Sequence, residues 1–202
     1  MAKIKPAKIK PLIISGPCLL QSAKDISLAR QLRDIGADVF RAKVFVGEGT
    51  HPPKSRFKLL DNEGYAEIFE DIQSKDIKIA TEINSFYHEN NLCFDYIWTP
   101  ARQMQNYPML KELNATRRNI PAILKVILKR GFGNTIDEVI GAAKYLKNVN
   151  ELYICERGVN TFDRKEDMRW RLDCLGIAEL KAKGFKVIAD VSHSTGDREY
   201  VL

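Results

Sequence analysis

The chain has 202 residues, of which 45% are hydrophobic and 29% charged, the composition of a globular protein with one sizeable core. Its formal net charge of +6 allows a nucleic acid, an anionic surface or small anionic substrates as partners. No run of about 18 apolar residues and no apolar signal segment is present, so we expect a cytoplasmic protein without a membrane anchor. The four cysteines form no CxxC pair, which favours reduced thiols over a disulfide framework.

The first ten residues, MAKIKPAKIK, are typical of a basic N-terminal tail, and residues 11–202 are predicted to form a single domain. Seven strand-like segments alternate with six helical ones in this domain. The predicted strands are PLIISGPC, DVFRAKVF, KIATEI, YIWTPA, PAILKVILKRG, ELYICERG and FKVIADVSH. The predicted helices are SAKDISLARQLRDIGA, EGYAEIFEDIQSK, SFYHENNLCF, YPMLKELNATRR, TIDEVIGAAKYLKNV and LDCLGIAELKAKG.

Two of the predicted helices carry specific local signals. In the first, Ile26, Ala29, Leu32 and Ile35 lie on one face of the helix, which predicts that this face is buried. In the fifth, Thr135 stands three residues before a glutamate, which predicts a capping box at the start of the helix.

The strands are apolar without polar alternation, as parallel strands buried on both faces are. Reactive groups stand at the carboxyl end of every predicted strand: Cys18, Arg41, Glu82, Arg102, Lys129 with Arg130, Glu156 with Arg157, and His193. An open sheet concentrates its site at one switch point, whereas a barrel collects it from all its strands. The pattern therefore predicts a TIM-type (β/α)8 barrel with seven of the eight β/α units in this chain.

Five short motifs at these strand ends carry a family resemblance. They read GPC, AR.MQN, KRG, CERG.NTF and SH.TG.REYV, in that order along the chain. Together they resemble the class I 3-deoxy-7-phosphoheptulonate synthases, nearest the short form, from a superfamily that includes the 3-deoxy-octulosonate 8-phosphate synthases. The resemblance implies an aldol-type condensation of phosphoenolpyruvate with a phosphorylated aldose, most simply erythrose 4-phosphate, with release of phosphate. It also implies a divalent metal, a homo-oligomer and a place at the first step of the shikimate pathway.

The resemblance assigns roles to individual positions of this sequence. It gives phosphoenolpyruvate contacts to Arg41, Arg102, Lys129 and Arg157, a possible aldose-phosphate contact to Arg198, and metal ligation to Cys18 and His193. His193 and Lys129 are the expected catalytic residues. Arginine forks suit carboxylate and phosphate groups, and a Cys and His pair suits Mn, Fe, Co or Zn.

Simpler interpretations stay open for each residue. A lone cysteine is usually a buried packing residue, which is our interpretation of Cys93, Cys155 and Cys174. Strand-end cations are often in ion pairs, and we favour a neutralising role of this kind for Glu156.

The sequence also departs from the family pattern. Val46 and Glu48 stand where the family has a lysine and an arginine, and a glutamate repels a phosphate. The family's other two metal ligands follow the seventh strand and have no counterpart in this chain. The alternative is therefore a non-catalytic or truncated relative that binds phosphoenolpyruvate-like anions or a partner chain. No basic strip with interleaved aromatic residues occurs, so we expect no nucleic acid partner.

Overall fold

The computed structural model describes most of the chain, in two compact units of residues 1–80 and 81–202. The described residues are 10–17, 20, 24–43, 62–74, 76–82, 94–115, 125–162, 169–196, 199 and 201. Lys10, the last residue of the predicted basic tail, donates a hydrogen bond to Asp38 over 3.1 Å. The single domain expected over residues 11–202 stays a prediction.

Within its described residues, the first unit contains short parallel strands and two helices. Its elements are β1 (Ile14–Ser15), α1 (Lys24–Asp34), β2 (Val39–Arg41), α2 (Asn62–Gln73) and the start of β3 (Lys78–Glu82). Ile14 lies opposite Val39, which in turn lies opposite Lys78. The predicted buried face of α1 is wrong at one position, because the helix ends at Asp34 and Ile35 is 81% exposed.

The second unit repeats the alternation of parallel strands and helices. Its strands are β4 (Tyr96–Thr99), β5 (Lys125–Lys129), β6 (Glu151–Glu156) and β7 (Lys186–Ala189). Its α-helices are α3 (Tyr107–Ala115), α4 (Ile136–Ala143), α5 (Cys174–Ala182) and α6 (Val191–Thr195). Apolar side chains of α3, α4 and α5 pack with those of β5 and β6 in one core, as in Leu110, Val139, Leu180, Leu128 and Ile154. The described residues thus contain the seven predicted strands, and a helix follows each of them except β3, after which residues 85–93 of the predicted helix SFYHENNLCF lie outside the described residues.

A charged network joins the amino ends of the strands in the second unit. Glu151 forms ion pairs with Lys125, at 3.4 Å, and with Lys186. Tyr153 donates its phenolic hydrogen to Glu151, and Lys125 donates to Tyr96. Burial raises the pKa of Glu151, but the hydrogen bonds from Lys186 and Tyr153 outweigh it and leave this pKa below its usual value. The carboxylate therefore stays ionised at the centre of the network.

The seventh strand is shorter than predicted. The strand in FKVIADVSH ends at Ala189, and residues Val191–Thr195 form the short helix α6 instead of a strand and loop. The reason is Asp190, whose side chain accepts the backbone N–H of His193 and so caps the helix.

No helix in the described ranges is both long enough and apolar enough to cross a lipid bilayer.

The predicted capping box at α4 is confirmed. The Thr135 hydroxyl accepts the backbone N–H of Glu138 at 3.2 Å, and the Glu138 carboxylate accepts the backbone N–H of Thr135 at 2.8 Å. These two bonds satisfy helix-end donors that would otherwise lack a partner.

We expect Thr135→Ala to lower the free energy of unfolding by about 1 kcal/mol, since the cap is lost. Thr135→Ser keeps the hydroxyl and should retain most of the stability. Urea denaturation of the two variants beside the parent chain measures the difference. Equal losses in both variants would show that the hydroxyl does not stabilise the helix.

Candidate functional site

The carboxyl ends of β5, β6 and β7 lie side by side in the second unit. Lys129 pairs in register with Cys155, which pairs with Ile188 in the next strand. The residues that follow these strand ends therefore meet at one edge of the sheet. The charges of Lys129 and Arg157 both act on His193, which places three of the predicted site residues together.

A buried ion-pair network supports this edge. Arg130 donates to Glu156 at 2.8 Å and to Asp173 at 2.7 Å, and its Nε donates to the carbonyl of Asn134 at 2.9 Å. Glu156 is fully buried, and its second oxygen accepts the backbone N–H of Gly158 at 2.7 Å. The neutralising role favoured for Glu156 is confirmed, and Arg130 is its partner.

Backbone hydrogen bonds connect the loops after these strands. The N–H of Asn160 donates to the carbonyl of Phe132 at 2.7 Å, and the N–H of Trp170 donates to the carbonyl of Ser194 at 2.9 Å. Gly158 has a φ of +94°, and a Cβ there would lie 2.5 Å from the Cβ of Trp170. Only glycine fits this position without strain, which explains the glycine of the CERG motif.

Two arginines lie over one aromatic ring. The Arg157 guanidinium carbon is 4.6 Å from the centroid of the Phe132 ring, and that of Arg102 is 5.7 Å from it. The Trp170 ring stacks on Phe132 with a centroid distance of 4.5 Å and an interplanar angle of 24°. Both arginine distances lie within the range of cation–π attraction.

Lys129 lies over a second aromatic ring. Its ammonium is 4.6 Å from the centroid of the Trp98 ring. The indole N–H of Trp98 donates to Glu82 at 3.0 Å, which fixes the orientation of the ring. The lysine is therefore directed by a buried tryptophan that is itself held in place.

His193 and Asp190 form an oriented pair. The two side chains are joined by an Nδ1 to Oδ2 distance of 2.7 Å. Burial would raise the pKa of Asp190, but the hydrogen bond from His193 and nearby positive charges lower it to about 2. An ionised carboxylate only accepts hydrogen bonds, so Nδ1 of His193 carries the hydrogen and Nε2 keeps its lone pair.

The balance of charges keeps His193 neutral. Its hydrogen bond to Asp190 raises the pKa, whereas burial and the charges of Lys129 and Arg157 lower it, with a net pKa below the usual value. A neutral imidazole with a carboxylate on one nitrogen is the usual form of a metal-binding histidine. The donor chemistry at His193 thus fits a metal ion, although the described residues contain no cluster of three or more His, Cys, Asp or Glu side chains arranged to hold one.

The remaining predicted residues are placed as follows. Arg41 ends β2 in the first unit, where it pairs in register with Ala80. Cys18 and Arg198, like Cys93, lie outside the described residues. Cys155 is buried as expected, and burial raises the pKa of its thiol to about 12. The packing role predicted for Cys174 is wrong, because this residue is exposed at the start of α5.

Four residues of the site were not predicted from the sequence: Trp98, Phe132, Trp170 and Asp190. The signal for Asp190 was present, since an aspartate three residues before a histidine is the spacing of a helix cap. Trp98 and Phe132 each lie close in sequence to a strand-end cation, but nothing local indicates which cation they contact.

Comparison with known proteins gives a family model and a curated relative that agree with each other. A family model described as the DAHP synthetase I family matches residues 4–202. The phospho-2-dehydro-3-deoxyheptonate aldolase of Thermotoga maritima is 28% identical over 202 residues, covering 94% of this chain and 55% of that protein. The chain thus spans about half the length of this curated relative.

Solved structures agree with the sequence relatives. A crystal structure of the Thermotoga maritima phospho-2-dehydro-3-deoxyheptonate aldolase has a TM-score of 0.77 and 26% identity, covering 94% of this chain and 54% of that chain. A truncated 3-deoxy-D-arabino-heptulosonate 7-phosphate synthase from the same organism has a TM-score of 0.74 and 27% identity. The match covers 94% of this chain and 67% of that chain. The predicted fold, a (β/α)8-type barrel with seven of its eight units in this chain, is confirmed.

We expect Glu156→Gln to lower the free energy of unfolding by about 2 kcal/mol, because it removes the charged hydrogen bond between Glu156 and Arg130 and leaves the guanidinium to Asp173. Lys183→Ala is the matched control, since it breaks an exposed ion pair with Glu179, and should cost less than about 1 kcal/mol. Urea denaturation measures both. Losses of similar size would contradict a special role for the buried pair.

Proposed function

The chain belongs to the DAHP synthetase I family, and we propose that it condenses phosphoenolpyruvate with a phosphorylated aldose, most simply erythrose 4-phosphate, to give 3-deoxy-7-phosphoheptulonate and phosphate. The observation that supports this most directly is the meeting of Lys129, Arg157 and the oriented His193 at one sheet edge. The relative from Thermotoga maritima, whose structure is named as phospho-2-dehydro-3-deoxyheptonate aldolase (DAHP synthase), supports it as well.

The cations bind phosphoenolpyruvate, which carries a carboxylate and a phosphate. Arg157 and Arg102 present planar forks suited to either group, and Lys129 adds a point charge. The pKa of Arg157 shows that these cations crowd one another. Burial is the largest cause that lowers this pKa, and the positive charges of Arg169 and Arg102 lower it further, whereas the negative charge of Asp190 raises it. Such a site favours a ligand with several negative charges. Arg41 is a further contact, assigned on the resemblance alone.

The reaction forms one carbon–carbon bond. The methylene carbon of phosphoenolpyruvate attacks the aldehyde carbon, and its former double-bond partner becomes electron-poor. Water adds at that carbon and gives one proton to the former aldehyde oxygen, which becomes a hydroxyl. The carbon–oxygen bond to the phosphate then breaks, phosphate leaves with its bridging oxygen, and the hydroxyl that came from water passes its proton to the leaving phosphate as the ketone forms. Lys129 and Arg157 hold the phosphate through this departure and offset its growing charge.

The metal-binding part of the proposal concerns His193. When bound, a divalent cation such as Mn, Fe, Co or Zn would polarise the aldehyde carbonyl as a Lewis acid. Nε2 of His193 is the nitrogen that would ligate it, with Asp190 fixing the tautomer from behind. Cys18 as a second ligand and Arg198 at the aldose phosphate follow from the resemblance only. The homo-oligomeric state and the cytoplasmic location stay predictions.

We expect turnover to need His193 and substrate binding to need Lys129. Phosphate release from phosphoenolpyruvate, measured with Mn²⁺ and first erythrose 4-phosphate, then arabinose 5-phosphate, should fall at least 100-fold in His193→Ala, because the metal is lost.

In Lys129→Met, the Kd for phosphoenolpyruvate should rise at least tenfold, through loss of a charged contact worth about 1.5–3 kcal/mol. Lys181→Met, on the exposed face of α5, should match the parent chain.

Binding can be followed without turnover. Both tryptophans of the chain, Trp98 and Trp170, belong to the site, so their fluorescence reports on ligands there. Binding of phosphoenolpyruvate with no release of its phosphate in the presence of either sugar would replace the proposal with the non-catalytic alternative. Turnover that is unchanged in His193→Ala would contradict the assigned metal ligand.

A further inference from the structure

We propose that Phe132 is a positioning residue, whose ring, backed by Trp170, holds the guanidinium groups of Arg102 and Arg157 as a fixed pair for the two anionic groups of phosphoenolpyruvate. The identity of the anion rests on the proposed function. The holding of the two arginines does not, since it rests on contacts within this chain.

The first argument is geometric. One ring lies within 6 Å of two guanidinium carbons, at 4.6 Å for Arg157 and 5.7 Å for Arg102. The two arginines come from separate parts of the chain, because Arg102 belongs to the 3-10 turn after β4 and Arg157 follows β6. Phe132 is thus the common contact that relates one guanidinium to the other.

The second argument is that the ring is itself fixed. The carbonyl of Phe132 accepts the N–H of Asn160, three residues after Arg157. Trp170 stacks on the ring, and its backbone N–H donates to the carbonyl of Ser194. The absent side chain of Gly158 allows the Cβ of Trp170 and the backbone of Arg171 to come this close. A ring held from three loops can hold flexible side chains at a lower entropic cost on binding.

The third argument concerns charge. Arg130 is held by the carboxylates of Glu156 and Asp173, so that its charge is compensated within the protein. Within the described ranges, neither Arg102 nor Arg157 forms an ion pair with a carboxylate. An aromatic face attracts a guanidinium through its quadrupole without cancelling the charge. Positioning by a ring therefore keeps both cations available to an anion, which positioning by a carboxylate would not.

The test compares Phe132→Leu with Phe132→Tyr. Leucine is of similar bulk but has no π face, so we expect the KM for phosphoenolpyruvate to rise about tenfold, from the loss of two contacts of roughly 0.5–1 kcal/mol each. The kcat should stay within about twofold. Tyrosine keeps the π face and should restore KM to within about twofold of the parent. An unchanged KM in the leucine variant, or a tyrosine variant as impaired as the leucine one, would overturn the proposal.

A second measurement does not depend on turnover. In the NMR spectrum of the full chain, the side-chain Nε–Hε signal of Arg157, identified by its absence in Arg157→Lys, should be displaced by the ring current of Phe132. The displacement should vanish in Phe132→Leu and persist in Phe132→Tyr. A parent chain without the displacement would refute the inference even if the enzyme were active. A parent chain that shows it but binds no phosphoenolpyruvate would refute the proposed function and leave the positioning role supported.

Discussion

The buried pair of Arg130 and Glu156 fixes the carboxyl edge of the second unit. One carboxylate oxygen of Glu156 accepts a hydrogen bond from Arg130, and the other accepts the backbone N–H of Gly158. The backbone carbonyl of Glu156 accepts the backbone N–H of Asp190. The loops after β5, β6 and β7 thus share one residue. A buried charge without its partner is costly, so the loops can take few other arrangements. The orientations of Arg157 and His193 both depend on this constraint.

Cations at this edge are held in two different ways, by carboxylates or by aromatic rings. Arg130 is enclosed by carboxylates and stabilises the loops. Lys129 and Arg157 lie over the rings of Trp98 and Phe132, and for Arg157 the structure describes no ion pair with a carboxylate. Neighbouring cations of the KRG motif are therefore held by different groups, Lys129 over an aromatic ring and Arg130 between carboxylates.

The order of elements and the capping box at Thr135 could be predicted because both depend on residues close in sequence. The end of β7 was missed although Asp190 is a favoured helix-capping residue, because Val191 continues the apolar pattern of the strand. The stacking of Trp170 on Phe132 joins distant segments, and no local pattern encodes it. The convergence of Lys129, Arg157 and His193 was predictable from the parallel strands, which bring their carboxyl ends to one edge.

The network around Glu151 lies at the opposite, amino ends of the same strands. Each of Lys125, Glu151 and Lys186 is the first residue of its strand, so their mutual contacts hold the strands together away from the reactive edge. The second unit is therefore tied at both ends of its strands, by this network at the amino ends and by the buried pair of Arg130 and Glu156 at the carboxyl ends. Loop substitutions that leave those two residues in place should therefore preserve the strand register.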